Sequence, residues 1–310
     1  MSFLAIVMAL LFEQIHPPGA QNPVARQLQA WARQSITLSD AGTALHGWLA
    51  WSLAVALPAL LAAAVHLLAR KAGGWPLALL WNVAVLYFML GFRQFSHHFT
   101  MIRDALEAGD DAQARQLLAH WQGMDASRLG PSEVLRHAVE ASVLEAHRHV
   151  FGVLACTSVL AMLGLGLGPA GAVLYRAAWL MRGRWLRPRE ADEAPVSQAV
   201  LDAARAAWGV IDWLPARLTA LSFAIVGSFE DAIDCWKNFA TRFADPGEGV
   251  VLAATAGAID VRLGPGAPPE GLPGREPHLT HLPRVVALMW RAVVLWLFLL
   301  ALLTLAHILS

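Results

Sequence analysis

Four apolar runs, each close to the length of a membrane span, dominate this sequence. They lie at residues 47–69, 74–92, 150–168 and 285–309, and each contains few charged side chains. A transmembrane helix needs about twenty consecutive apolar residues to cross about 30 Å of hydrocarbon, so each run is long enough to form one. The runs predict an all-α, polytopic helical membrane protein with about four to five spans.

The amino-acid composition agrees with this prediction. Hydrophobic residues make up 57% of the 310 residues and charged residues 15%, whereas soluble proteins contain about 25% charged residues. The formal net charge is zero, so the chain lacks the basic field on which nucleic-acid binding depends. We therefore expect a lipid bilayer as partner and no nucleic acid, and the oligomeric state is left open.

Polar segments separate the runs. Residues 93–149, between the second and third runs, carry helix start and stop signals such as those around 111–122. This interval predicts a water-exposed or interfacial helical region. The tract 264–277, rich in glycine and proline, predicts a flexible linker before the last run. We expect the whole chain, 1–310, to form a single membrane domain.

The polar region places four acidic and imidazole side chains on one face of a predicted helix: Glu133, His137, Glu140 and His147. At about 100° per residue, these side chains fall within about 80° of one another. Imidazole and carboxylate groups at this spacing are common ligands of divalent metals, and they are equally typical of a solvated helix face. Glu145 and His149 lie on another face at positions i and i+4, where an ordinary side-chain pair is expected.

A second polar feature interrupts an apolar stretch at residues 211–219. It contains Asp212, Pro215 and Arg217. An ionisable side chain at membrane depth is costly unless it is paired or lines a cavity. Asp212 and Arg217 therefore either neutralise each other or form a binding site, in which Arg217 would hold a phosphate or carboxylate in bidentate geometry.

Common enzyme signatures are missing. The sequence contains no P-loop, dinucleotide-binding fingerprint, zincin motif or nucleophile elbow, so it lacks the usual signatures of those four chemistries. A glycine-rich run at 164–168 lies inside the third apolar run and follows no predicted strand. It predicts close packing between helices.

Four segments together resemble the CobD/CbiB family of cobalamin-biosynthesis membrane proteins and its AmpE-like relatives. Residues 211–219 resemble the family's D-x-x-x-(W/Y)-(I/V)-P-x-R-L segment, and residues 253–264, AATAGAIDVRLG, resemble A-x-x-A-G-A-L-x-x-(R/Q)-L-G. Residues 105–118 and 168–176 are similar to two further family segments. The likeness covers most of the chain from about residue 93 to residue 264.

This resemblance implies an adenosylcobinamide-phosphate synthase activity, in which an amide bond joins adenosylcobyric acid to an aminoalcohol phosphate. It implies ATP and magnesium as cofactors and a multi-pass protein of the cell inner membrane. Two catalytic carboxylates are implied, Glu140 and Glu145, and with His137 they form the predicted metal site. The predicted substrate and phosphate contacts are Asp212, Arg217 and Arg262.

The chain also departs from the synthase pattern. Ala146, His149 and Val150 stand where that branch has Asn, Asp and Gly, and Trp179 and its neighbours replace a polar N-T-x-D-S segment. The opening residues 11–14 resemble AmpE-like proteins, which are linked to signalling in β-lactamase induction. These features predict the alternative function, a non-catalytic membrane sensor or regulatory protein.

Overall fold

The fold is helical throughout the part of the chain that the computed structural model describes, residues 2–16, 23–164, 166–186, 196–264 and 273–309. Within these residues the only β-contact is an isolated bridge between Val261 and Arg275. The α-helices in chain order are α1 (Ser2–Ile15), α2 (Pro23–Ser39), α3 (Ala44–Trp51), α4 (Leu57–Met89), α5 (Phe92–Glu107), α6 (Asp111–Gln122), α7 (Pro131–Ala146), α8 (Gly152–Met162), α9 (Gly168–Leu186), α10 (Gln198–Ile211), α11 (Trp213–Val226), α12 (Phe229–Phe239), α13 (Pro246–Ile259) and α14 (Leu282–Leu309). The all-α prediction is confirmed for these residues.

The chain forms two compact units, each assembled from separate segments. The first comprises Met1–Gly91 and Gly152–Pro215, and the second comprises Phe92–Phe151 and Ala216–Ser310. In the first unit, α4 packs against α1 and α9, and α10 packs against α3 and α9. In the second unit, α13 packs against α12, α7 and α14.

A helical hairpin occupies residues 44–89 of the first unit. The Trp81 indole N–H donates a hydrogen bond to the Ala62 carbonyl oxygen at 3.0 Å, across 19 sequence positions. In a straight helix these two residues would lie about 28 Å apart along the axis. The chain therefore reverses, and it does so at Gly74, whose φ of +67° is a conformation that glycine adopts without a steric penalty. The two arms contain the first two predicted runs.

Two helical stretches are long and apolar enough to cross a membrane, Ala44–Met89 and Leu279–Ala306. A third is added if α10 and α11 are counted as one broken span. The described residues thus form a helical membrane protein with two or three candidate spans by length and composition. The larger predicted number of four to five spans stays a prediction.

The third predicted run, 150–168, is not helical to its end. Helix α8 contains only 11 residues and ends at Met162. Gly164 and Gly166 follow with φ of +73° and +68°, values that end a right-handed helix. The glycine-rich run was interpreted as close helix packing, and this is confirmed at Gly166, where an added Cβ would lie 2.8 Å from His66 Cδ2 of α4. It was wrong at Gly164, where an added Cβ would meet no atom within 4 Å, while Leu165 lies outside the described residues. Close packing also occurs at Gly171, where an added Cβ would lie 2.4 Å from the Cys156 carbonyl oxygen.

The polar region of the second unit follows its sequence signals closely. The Asp110 side chain caps α6 by accepting the Gln113 backbone N–H at 2.9 Å, and Gly123 ends the helix in the left-handed conformation. The predicted linker 264–277 falls largely outside the described residues, which omit 265–272. Its far end is bonded to the chain that leaves α13, because the Arg262 backbone N–H donates to the Arg275 carbonyl at 2.8 Å.

Candidate functional site

Helix α7 holds the chain that leaves α13. The Gly264 backbone N–H donates to Glu140 Oε1 at 2.6 Å, and Arg136 Nη1 donates to the Gly264 carbonyl oxygen at 2.8 Å. Both backbone polar groups of Gly264 are therefore bonded to one turn of α7. This arrangement brings the end of the AATAGAIDVRLG segment to the predicted catalytic residue Glu140. Two residues before Gly264, the Arg262 guanidinium donates to the Gly274 carbonyl at 3.2 Å.

The Glu140 side chain is mostly buried and lies beside charged and imidazole groups. Its carboxylate is 3.6 Å from His137 Nδ1, and its side chain is 16% exposed. Burial raises the pKa of Glu140 above its ordinary value, although the Gly264 N–H and the nearby Arg136 and His137 oppose this shift. A carboxyl group with a raised pKa is typical of catalytic acids and bases, and it also occurs in structural networks. The environment is therefore compatible with proton transfer at Glu140.

Glu145 takes part in a separate network. His149 Nε2 is 2.8 Å from its carboxylate, which confirms the expected pair at i and i+4. Arg148 Nη1 lies 3.9 Å from the same carboxylate, and Arg148 Nη2 donates to Glu248 in the first turn of α13. One guanidinium thus links two carboxylates. The turn that directly follows α7 is bonded to the beginning of α13, whereas α7 itself is bonded to the chain beyond the end of α13.

A π-helical turn, His147–Phe151, continues α7. Such turns are frequent at functional sites because they change the direction in which successive side chains point. Here His147 Nδ1 lies 2.9 Å from the Thr219 hydroxyl of α11, and both residues are buried. Within the second unit, His147 therefore connects α7 to α11 and belongs to the buried core.

The structure separates the residues of the predicted metal site into pairs. Glu140 and Glu145 are five residues apart, which places them about 140° apart around a regular helix and about 7.5 Å apart along it. His137 accompanies Glu140, and His149 accompanies Glu145. Across the described ranges there is no group of three or more His, Cys, Asp or Glu side chains arranged to hold a metal.

These pairs limit how magnesium would fit. Mg²⁺ is commonly bound through one or two carboxylates together with waters and substrate phosphates. Glu140 or Glu145 fits that role only if phosphate oxygens complete the coordination. The predicted metal role of Glu140, Glu145 and His137 stays a prediction.

Asp212 belongs to the first unit and is buried there. The Tyr175 hydroxyl donates to Asp212 Oδ1 at 2.8 Å, and the Tyr175 ring contacts Trp208 at 5.3 Å between centroids. This bond joins two of the segments that carry the family resemblance, 168–176 and 211–219. Arg217 is half-buried on α11 in the second unit, and its predicted phosphate contact stays a prediction.

Sequence reasoning did not identify several residues that organise these networks. One local sequence signal does point to Arg136: it lies four residues before Glu140, the spacing of an ion pair on a helix. A local sequence signal also points to Glu248, which follows the helix start signal of Asp245 and Pro246. In the structure, Asp245 caps α13. No local pattern pointed to Gly264, since its bond to Glu140 spans 124 sequence positions.

These observations define a class: an all-helical membrane protein whose charged and imidazole groups collect around α7 and both ends of α13. Comparison with known proteins identifies the family. The profile described as CobD/Cbib protein matches residues 3–268, and the chain belongs to this CobD/CbiB family.

Curated relatives agree. The protein named Cobalamin biosynthesis protein CobD from Stutzerimonas stutzeri is 30% identical over 314 residues, which cover 96% of each chain. Proteins of the same name from Chromobacterium violaceum and Mycobacterium tuberculosis are each 32% identical, over 224 and 259 residues. These alignments cover 69% and 80% of this chain and 67% and 75% of the relatives. No solved structure matches the chain.

Proposed function

We propose that this chain acts in cobalamin biosynthesis as a multi-pass protein of the cell inner membrane. In this role it joins adenosylcobyric acid to an aminoalcohol phosphate through an amide bond. The observation that carries the proposal is the match to the CobD/CbiB family over residues 3–268. The full-length similarity to a protein named for cobalamin biosynthesis supports it further.

The chemistry of amide formation suggests roles for the predicted site residues. The carboxyl oxygen of the acid has to leave as phosphate, and the attacking amine has to lose a proton. ATP with magnesium would supply the phosphoryl group. Glu140, whose pKa burial raises, is our candidate for accepting the proton, and Glu145 is the second candidate carboxylate. Arg217 and Arg262 are the candidates for holding phosphate oxygens, to which guanidinium groups donate strong charge-assisted hydrogen bonds.

A second function is favoured by the network around Glu145. His149 and Arg148 both contact this carboxylate, and His149 stands where the synthase branch has a carboxylate. Glu140 lies beside His137 and Glu145 beside His149, and the described residues contain no group of three or more such side chains arranged to hold a metal. An AmpE-like protein that senses or regulates without catalysing ligation would keep such a paired network.

Complementation separates the two functions. A strain that lacks its own synthase is fed cobyric acid and supplied with the wild type, with Arg217→Ala or with Glu140→Gln. Arg103→Ala serves as the matched control, because Arg103 lies on the polar helix α5 and pairs with the exposed residue Asp104. Protein level and membrane insertion are measured for every variant.

The synthase proposal predicts growth with the wild type and the control and loss of growth with Arg217→Ala and Glu140→Gln. If a well-expressed, membrane-inserted wild type fails to support growth, the synthase proposal is wrong. The regulatory function then predicts that deleting the native gene changes β-lactamase induction.

A further inference from the structure

The hairpin at residues 44–89 forms an open apolar crevice between its two arms. The crevice has a volume of about 480 Å³ and is lined only by apolar side chains and the Trp81 ring. Val65, Leu68 and Ala69 contribute from the first arm, and Leu77 and Ala84 from the second. A crevice with this lining offers no hydrogen-bonding group to water, so its preferred occupant is a hydrocarbon chain.

The surroundings of the crevice are also apolar and exposed. Leu60, Leu68 and Leu80 are each more than half exposed, at 63%, 64% and 63%. The most apolar window of this candidate span is only 33% buried within the protein. Contiguous exposed apolar surface of this kind marks contact with a membrane or a partner, and its place on a candidate span favours lipid.

Cationic side chains stand at the closed end of the hairpin. Arg70 and Lys71 are exposed and lie between Ala69 and Ala72, which both line the crevice. In the described part of the chain, neither has a hydrogen bond or an ion pair. Trp75, 59% exposed, follows directly after the turn. Basic and tryptophan side chains at the end of a span are typical of the membrane–water interface, where lipid phosphates lie.

We propose that the hairpin binds one anionic phospholipid, with an acyl chain between the arms and the headgroup phosphate at Arg70 and Lys71. The apolar crevice accounts for the acyl chain, and the two cations next to it account for the headgroup. Each basic side chain near an anionic lipid surface strengthens binding by about 5-fold, so removing both predicts about 30-fold weaker binding. This inference does not depend on the proposed enzymatic function.

The test titrates phosphatidylglycerol into the full chain held in phosphatidylcholine nanodiscs and measures bound lipid by native mass spectrometry after extraction. The variant Arg70→Ala/Lys71→Ala is compared with Arg26→Ala/Arg33→Ala, which removes two exposed cations from α2 in the same unit. We expect the wild type and the α2 control to retain one phosphatidylglycerol, and the hairpin variant to require about 30-fold more lipid.

A second variant tests the crevice itself. Ala72→Leu fills part of the space while leaving both cations in place, so retention of phosphatidylglycerol should fall. Equal retention of phosphatidylglycerol and phosphatidylcholine by the wild type would overturn the proposal. Unchanged binding by the Arg70→Ala/Lys71→Ala variant, or a lipid-free dimer that buries the crevice, would overturn it as well.

Discussion

The crossing of α12 and α13 gives the sharpest test of the packing, through the substitution Gly257→Ala. A Cβ added at Gly257 would lie 2.2 Å from the Asp231 carbonyl oxygen and 2.6 Å from the Ala232 nitrogen. These are backbone atoms of a neighbouring helix, so no side-chain rotation relieves the overlap. One of the two helices therefore has to shift.

The expected magnitude combines two opposing terms. Overpacking a well-packed core costs about 1–3 kcal/mol, whereas Ala exceeds Gly in helix propensity by about 0.8–1.0 kcal/mol. The contact is with backbone atoms at well under van der Waals separation, so the upper end of the first range applies. We expect a net loss of about 2 kcal/mol in the free energy of unfolding.

The matched control is Gly183→Ala on α9, where an added Cβ meets no atom within 4 Å. This variant should gain stability by helix propensity alone, by about 0.8–1.0 kcal/mol. Both free energies are measured by unfolding in mixed micelles of increasing denaturing-detergent fraction, followed by far-ultraviolet circular dichroism. If Gly257→Ala gains as much stability as Gly183→Ala, the close approach of α12 and α13 at this residue is wrong.

Three further predictions each concern one carboxyl group that accepts hydrogen bonds. Because burial raises the pKa of Glu140, its stabilising contribution is present below the ordinary glutamate pKa and is lost as pH rises through the folded-state value. Glutamine does not titrate, so Glu140→Gln should not lose stability as pH rises through this range. If the free energies of unfolding of the variant and the wild type change with pH in parallel, the burial argument is wrong. The Asp40 carboxylate behaves oppositely: burial raises its pKa, but hydrogen bonds from Ser197 and Gly42 outweigh burial and lower it overall. Asp40→Asn should therefore destabilise the protein at neutral pH, and the difference from the wild type should vanish as pH falls through the folded-state pKa. Tyr175→Phe removes one hydrogen-bond donor to the buried Asp212 and should cost about 1–3 kcal/mol in unfolding free energy; a cost below about 0.5 kcal/mol would mean that this hydrogen bond contributes little.

The sequence predicted best those features that depend on neighbouring residues. Helix α6 begins and ends where its cap residues indicate, because capping is a local interaction of the backbone. The pairing of Glu145 with His149 followed from helix geometry alone. The two arms of the hairpin correspond to the first two predicted apolar runs, and Gly74 provides the reversal between them.

Features that join distant segments were not predicted. The bonds from Gly264 to Glu140 and Arg136 span more than a hundred positions, and no pattern within either segment encodes them. Hydropathy also did not reveal that Gly164 adopts a positive φ and that α8 ends at Met162, before the end of the third apolar run. Grouping Glu140 with Glu145 as metal ligands relied on the family resemblance, while the side-chain directions on α7 give each carboxylate its own histidine.

The fastening of Gly264 to α7 has a consequence for how the length of this chain can vary. Residues 265–272 join two points that the fold already holds, Gly264 on one side and Arg275, bonded to Arg262, on the other. The entropic cost of connecting fixed points grows only with the logarithm of the connection's length, by about 0.6 kcal/mol for each doubling. Insertions between residues 265 and 272 should therefore be inexpensive, and this position is suited to an epitope tag that leaves the Glu140 contact intact.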